Sequence, residues 1–139
     1  MKNIISIKGL DEIIDKYSVF ILDQWGVLHD GIKGFNHAIK CVEKLYRQKN
    51  DIIIISNSSK RKKSTVSRLP NLGFNPKYFK EVMTSGEMIW QSLNNQNYDF
   101  TKNIKKNCFH IYDKSKDDDN NYIEGLEKSN FVKKIEDAD

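Results

Sequence analysis

Two short runs rich in β-branched and aromatic residues, "SVFIL" (Ser18 to Leu22) and "DIIIIS" (Asp51 to Ser56), constrain this chain more than any other feature. Neither alternates apolar with polar, so each predicts a strand that is apolar on both faces, as in the interior of a parallel sheet. The segment between them, "FNHAIKCVEKLYRQKN", repeats Phe35, Ala38, Ile39, Val42, Leu45 and Tyr46 at spacings of three and four, which predicts one helix with one apolar stripe. Strand, helix and strand in so short a span form a βαβ unit and build a parallel sheet.

The rest of the chain is less strongly patterned. Residues 9 to 16, "GLDEIIDK", carry a weak helical pattern. After Ser56 a polar turn leads to a helix with Val66 and Leu69, disturbed by Pro70. A short strand is expected over Glu81 to Thr84, then a helix capped at Ser85, where Met88 stands in place of the Glu that would complete the capping signal. From Asn94 the composition shifts to Asn, Lys and Asp. One isolated strand, "CFHIY" (Cys108 to Tyr112), is expected there, and "DDDNN" reads as a solvated loop. A domain boundary is placed near residues 94 to 104.

Composition excludes several functions. The net charge of +4 comes from Lys residues scattered among Asp, Glu and Asn, so no nucleic-acid partner is expected. The densest basic run, "KRKK" at Lys60 to Lys63, reads as a solvated helix start. Cys41 and Cys108 lack metal-ligand or disulfide spacing, which points to a reducing compartment. Lys8, Asp11 and Glu12 interrupt the apolar start before a signal segment forms, and no run is long enough to span a membrane. A soluble, cytoplasmic protein with no membrane partner is expected.

In an open parallel sheet, ligands bind beyond the carboxyl ends of the strands. Asp23 closes the first run, and Ser56 and Asn57 close the second. A carboxylate beside a hydroxyl and backbone N–H groups suits phosphoryl chemistry, because the carboxylate can attack phosphorus while the donors hold its oxygens. Asp23 as a turn cap and Ser56 as a plain strand end fit the same spacing.

Taken in order, "FILDQWGVLHDG", "IIIISNSSKR" and "LGFNPKYFKEVMTSGE" resemble the haloacid dehalogenase (HAD) superfamily, in particular its class IIA group. Within it, the pattern DxWGVLHDG is similar to that of a bacterial subgroup of HAD-type hydrolases with Trp in this position. The likeness runs from about Gly9 to Asp139. It implies an α/β fold: a Rossmann-like parallel sheet, the incomplete HAD core, over residues 1–95, and the start of an inserted α/β cap domain over residues 96–139.

The resemblance implies that Asp23 is the nucleophile, forming an aspartyl-phosphate, and that it also binds Mg²⁺. Two positions later the family uses a backbone carbonyl as a second metal ligand and an Asp side chain as general acid and base. Here that position is Trp25. The carbonyl survives, but an indole cannot act as a base, and general acid–base assistance is typically worth about 10²- to 10⁴-fold in rate. His29 and Asp30 are the nearest substitutes, although stabilising the turn before Gly31 is their simpler role. Trp25 itself reads as a core or cap-contact aromatic, or as a pocket wall.

Ser56 matches the hydroxyl that holds the phosphoryl group, and Asn57 the residue beside it. Ser58 departs from the Asn of many class IIA members. Lys60, with Arg61, is placed at the rim for an anionic substrate, and "TSGE" (Thr84 to Glu87) resembles the junction into the cap. The family's later Lys and acidic pair match nothing here, so the sequence reads as the N-terminal portion of a longer protein. The expected partner is a small phosphorylated metabolite, and the resemblance allows a homodimer. A phosphatase is the first expectation; a non-catalytic phosphate-ligand-binding relative is the alternative.

Overall fold

The computed structural model describes residues 6–95, 101, 104, 106–113, 115 and 121–139. The expected boundary near residues 94 to 104 and the "DDDNN" loop fall mostly outside these residues. The chain divides into two compact units, Met1–Ser56 with Val66–Met83, and Asn57–Thr65 with Thr84–Asp139. Among the described residues no helix is long and apolar enough to cross a membrane.

The first unit contains the βαβ element. Strand β1 is Val19–Leu22, helix α1 is Asn36–Arg47 and strand β2 is Asp51–Ser56. β1 and β2 pair in parallel with Phe20 opposite Ile52 and Leu22 opposite Ile54. A third strand, β3 (Glu81–Thr84), extends the sheet in the order β1-β2-β3. The apolar stripe of α1 buries Ala38, Val42 and Leu45 with Phe20, Ile52, Ile54, Leu69 and Phe74. Leu45, Ile52, Ile54 and Leu69 are wholly inaccessible, and each such side chain contributes about 1.5–3 kcal/mol. Truncating Leu45 to Ala would cost about 2–5 kcal/mol.

Two expectations are corrected in this unit. Residues 9 to 16 form not a helix but two 3₁₀ turns, Leu10–Glu12 and Ile14–Lys16, because only Ile14 is buried there and no continuous stripe anchors a longer element. β1 is not buried on both faces: it lies at the edge of the described sheet, and Ile21 is 61% exposed. Its core-facing residues, Phe20 and Leu22, pack on the α1 side.

In the second unit, helix α2 (Lys62–Arg68) starts within the basic run, and its last residues return to the first unit. Helix α3 is Ser85–Asn95. Its N-terminus is capped one residue earlier than expected: the Thr84 hydroxyl accepts the Glu87 N–H (3.0 Å) and donates to the Lys60 carbonyl (2.5 Å). Glu87 is buried, accepting Arg61 Nε–H at 2.8 Å and the Lys62 N–H at 3.0 Å, while the Arg61 guanidinium lies 3.8 Å over the Trp90 ring. Gly86 permits this packing, since a Cβ there would fall 1.8 Å from the Ser59 carbonyl oxygen.

The expected strand over Cys108 to Tyr112 is shorter and not isolated. Strand β4 is Asn107–Phe109, paired in parallel with β5 (Asn130–Val132). The ladder ends at Phe109, opposite Val132, the last residue of β5; beyond it the His110 and Tyr112 rings stack on each other, with centroids 4.8 Å apart, and His110 also meets Tyr122 and Phe131.

Candidate active site

The parallel register places Asp23 and Ser56 at the same, carboxyl end of adjacent strands. Asp23 is exposed, the first residue past β1, and its Oδ1 accepts the Gln24 N–H at 2.7 Å. Ser56 is the buried last residue of β2, on the strand face that carries Ile52 and Ile54.

The segment after Asp23 winds into a tight loop, because the buried Gln24 turns its carbonyl to accept the N–H groups of Val27, Leu28 and His29. Trp25 and His29 then form an isolated bridge. Its hydrogen bonds run from the His29 N–H to the Gln24 carbonyl and from the Gly26 N–H to the His29 carbonyl, and so bypass the Trp25 carbonyl. Trp25 is 63% exposed and its ring packs edge-on against His29 with centroids 5.7 Å apart, which excludes the core reading of this residue. Gly31, with φ of 93°, lies beneath that ring, and a Cβ there would come within 2.1 Å of it. The backbone conformation holds the position to glycine, and a Cβ there would also require the exposed Trp25 ring to move.

His29 and Asp30 are engaged in the turn itself. The His29 ring is 4% exposed, and its Nδ1 accepts the Gly31 N–H at 2.9 Å, so a neutral ring carries its proton on Nε2. Among the described residues, that buried Nε2 has no hydrogen-bond partner. Burial and the nearby Arg68 charge depress the His29 pKa below 6.5, outweighing the opposite pull of Asp30 and Asp23. Asp30 Oδ1 accepts the Ile32 and Lys33 N–H groups at 2.9 and 2.8 Å, and these bonds hold its carboxyl below the ordinary range. Neither residue is poised as a proton donor at neutral pH; both stabilise the turn.

Asn57 and Lys60 belong to the second unit. Asn57 is exposed and lines a cavity there, while Lys60 is held through its backbone, donating to Ser58 Oγ at 3.2 Å and accepting from Thr84. For a metal, Asp23 and the Trp25 carbonyl are hard oxygen donors of the kind Mg²⁺ takes. Among the described residues no group of three or more His, Cys, Asp or Glu side chains gathers to hold an ion. The donors present fit Mg²⁺ in type and supply only part of a six-oxygen shell.

Sequence reasoning missed Gln24, whose carbonyl organises the loop, and the Thr84–Glu87–Arg61 clamp. The Thr-x-x-Glu spacing at Thr84 to Glu87 was a readable signal for the second. Gln24 gave no signal, since its role is carried by its backbone.

Residues 20–122 match the model of a family described as haloacid dehalogenase-like hydrolase. The fold is similar to the crystal structure of a hydrolase of the haloacid dehalogenase-like family from Brucella suis 1330, with a TM-score of 0.76 and 24% identity. That similarity covers 96% of this chain and 46% of the other, so this chain spans about half the length of the structure it matches. No curated protein matches the sequence.

Proposed function

We propose, for a chain that belongs to the haloacid dehalogenase-like hydrolases, that it supplies the nucleophile half of a class IIA, Mg²⁺-dependent phosphatase acting on a small phosphomonoester. The observation that carries this reading is the exposed Asp23 carboxylate at the same sheet end as the Ser56 hydroxyl. Residues 1–95 are assigned to the core and 96–139 to the beginning of the cap.

In this reading the Asp23 carboxylate attacks phosphorus, the bond to the leaving oxygen breaks, and an aspartyl-phosphate forms. Water then attacks that phosphorus, releasing phosphate and restoring the carboxylate. Ser56 and the Asn57 N–H hold the phosphoryl oxygens, and Lys60 attracts the anion. Asp23 and the Trp25 carbonyl would help to hold Mg²⁺, which when bound neutralises phosphoryl charge. With Trp25 in place of a carboxylic acid, the leaving oxygen takes its proton from water, and the reaction forgoes about 10²- to 10⁴-fold in rate.

One observation favours a second reading, a phosphate-ligand-binding relative without turnover. His29 and Asp30, the candidates closest in sequence to replace the missing acid, are committed to the turn. Phosphate release from 4-nitrophenyl phosphate by the complete gene product separates the two. An enzyme gives Mg²⁺-dependent release that Asp23→Asn abolishes. A binder gives none, while still retaining phosphate with an affinity that Ser56→Ala weakens.

A further inference from the structure

The segment that follows Ser56 is bonded to the first turn of α3, and both belong to the second unit. The Ser58 carbonyl accepts the Gly86 N–H at 3.0 Å, the Lys60 carbonyl accepts the Thr84 hydroxyl at 2.5 Å, and the Lys62 N–H donates to Glu87 Oε2 at 3.0 Å. A Cβ at Gly86 would also fall 2.7 Å from the Lys60 carbonyl oxygen, so helix and segment meet backbone to backbone.

Arg61 carries this attachment further. Its Nε–H donates to Glu87 at 2.8 Å, a terminal N–H donates to the Tyr122 carbonyl at 3.3 Å, and its guanidinium lies 3.8 Å over the Trp90 ring. The Arg61 side chain is 21% exposed and that of Glu87 9%. Tyr122 and Glu124 are themselves fastened to α3: the Tyr122 hydroxyl donates to the Gly86 carbonyl at 2.8 Å, and Trp90 Nε1–H donates to the Glu124 carbonyl at 3.1 Å. One guanidinium therefore joins the segment after Ser56, α3 and Tyr122–Glu124. A planar fork of fixed donors suits that task, whereas an ammonium on a flexible stem does not. Arg61, expected at the rim for an anionic substrate, instead sets its charge against Glu87 inside the second unit.

We infer that Arg61 is a positioning residue: by joining Asn57–Lys60 to α3 and to Tyr122–Glu124, it fixes the backbone N–H groups that hold an anion, without touching the anion itself. The inference rests on the phosphate reading above, in which the Asn57 N–H holds a phosphoryl oxygen. Donors fixed in advance need no reorganisation when the anion arrives. A misaligned hydrogen bond to a charged oxygen forfeits about tenfold or more in affinity.

The test is an NMR titration of the ¹⁵N-labelled complete gene product with inorganic phosphate in the presence of Mg²⁺, following the backbone N–H groups of Asn57 to Lys60. Arg61→Lys keeps the charge, so attraction alone predicts native affinity, while positioning predicts binding about tenfold weaker. Glu87→Gln removes a negative charge, so attraction alone predicts tighter binding, while positioning again predicts weaker. Tyr122→Phe alters no charge and deletes one hydroxyl; it should also weaken binding, and it keeps the test decisive if the other two fail to fold. Each variant is compared once its β1, α1 and β2 resonances match the native ones. Native affinity in the folded variants, or tighter binding in Glu87→Gln, overturns the inference and leaves the phosphate site standing. A native protein that binds no phosphate overturns the phosphate reading, and the inference with it.

Discussion

At the residue scale, the loop after β1 sets three side chains to different work. Asp23 stays exposed, Trp25 shields Gly31, and His29 is buried with one nitrogen bonded and the other unpaired among the described residues. His29 should therefore titrate below 6.5, the direction that burial and Arg68 impose. Because the unfolded chain binds the proton more tightly, His29 stabilises the fold fully above pH 6.5, and that stability is lost as pH falls through the depressed pKa. An NMR titration of the His29 ring should show the low midpoint, and the thermal midpoint of His29→Asn should vary less between pH 7.5 and 5.5 than that of the native chain. A His29 midpoint at or above 6.5 contradicts this. The strand-end positions of Asp23 and Ser56 were legible because each ends an apolar run. The burial of His29 was not, since it depends on three N–H groups converging on the Gln24 carbonyl.

At the scale of elements, the segment before α2 is fastened to α3 by Glu87, with Arg61 and Lys62 on one side and the Thr84 cap on the other. Burial opposes the Glu87 charge, yet the Arg61 and Lys62 hydrogen bonds and the Arg61 charge outweigh it and bring its carboxyl below 4.5. The resulting stability is complete above pH 4.5 and declines as pH falls through the lowered value. Glu87→Gln should lower unfolding stability by about 2 kcal/mol at neutral pH in urea denaturation. Gly86→Ala should destabilise at least as much, although Ala is ordinarily the better helix former, because its Cβ meets the Ser59 backbone. A neutral result for both variants removes the clamp from the account. The helices and the first three strands were readable from periodicity and apolar runs. β5 was not, since "NFV" is too short to signal a strand without its partner β4. The end of β4 at Phe109 was not legible in "CFHIY" either, since it falls where its partner β5 stops, at Val132.

At the scale of the whole molecule, the chain spans about half the length of the structure whose fold it shares, and on the proposed reading it carries one carboxylate, Asp23, and one carbonyl, that of Trp25, toward a metal. One carboxylate and one carbonyl make a weak Mg²⁺ site. The 139-residue chain alone should therefore release little phosphate from 4-nitrophenyl phosphate, and clear Asp23-dependent release by it would contradict that. The parallel core was legible because a βαβ unit admits few alternatives. The division into units interleaved along the sequence was not, because Asn57–Thr65 joins the later residues through contacts such as Arg61 with Glu87.

The central claim is that Asp23 is the group that takes the phosphoryl unit. Trapping the acyl-phosphate mimic with beryllofluoride and Mg²⁺ in the complete gene product, read by ¹⁹F NMR, tests it most directly. The account predicts one bound beryllofluoride species, absent in Asp23→Asn and weakened in Ser56→Ala. A species that persists unchanged in Asp23→Asn, or none at all from folded protein, contradicts it.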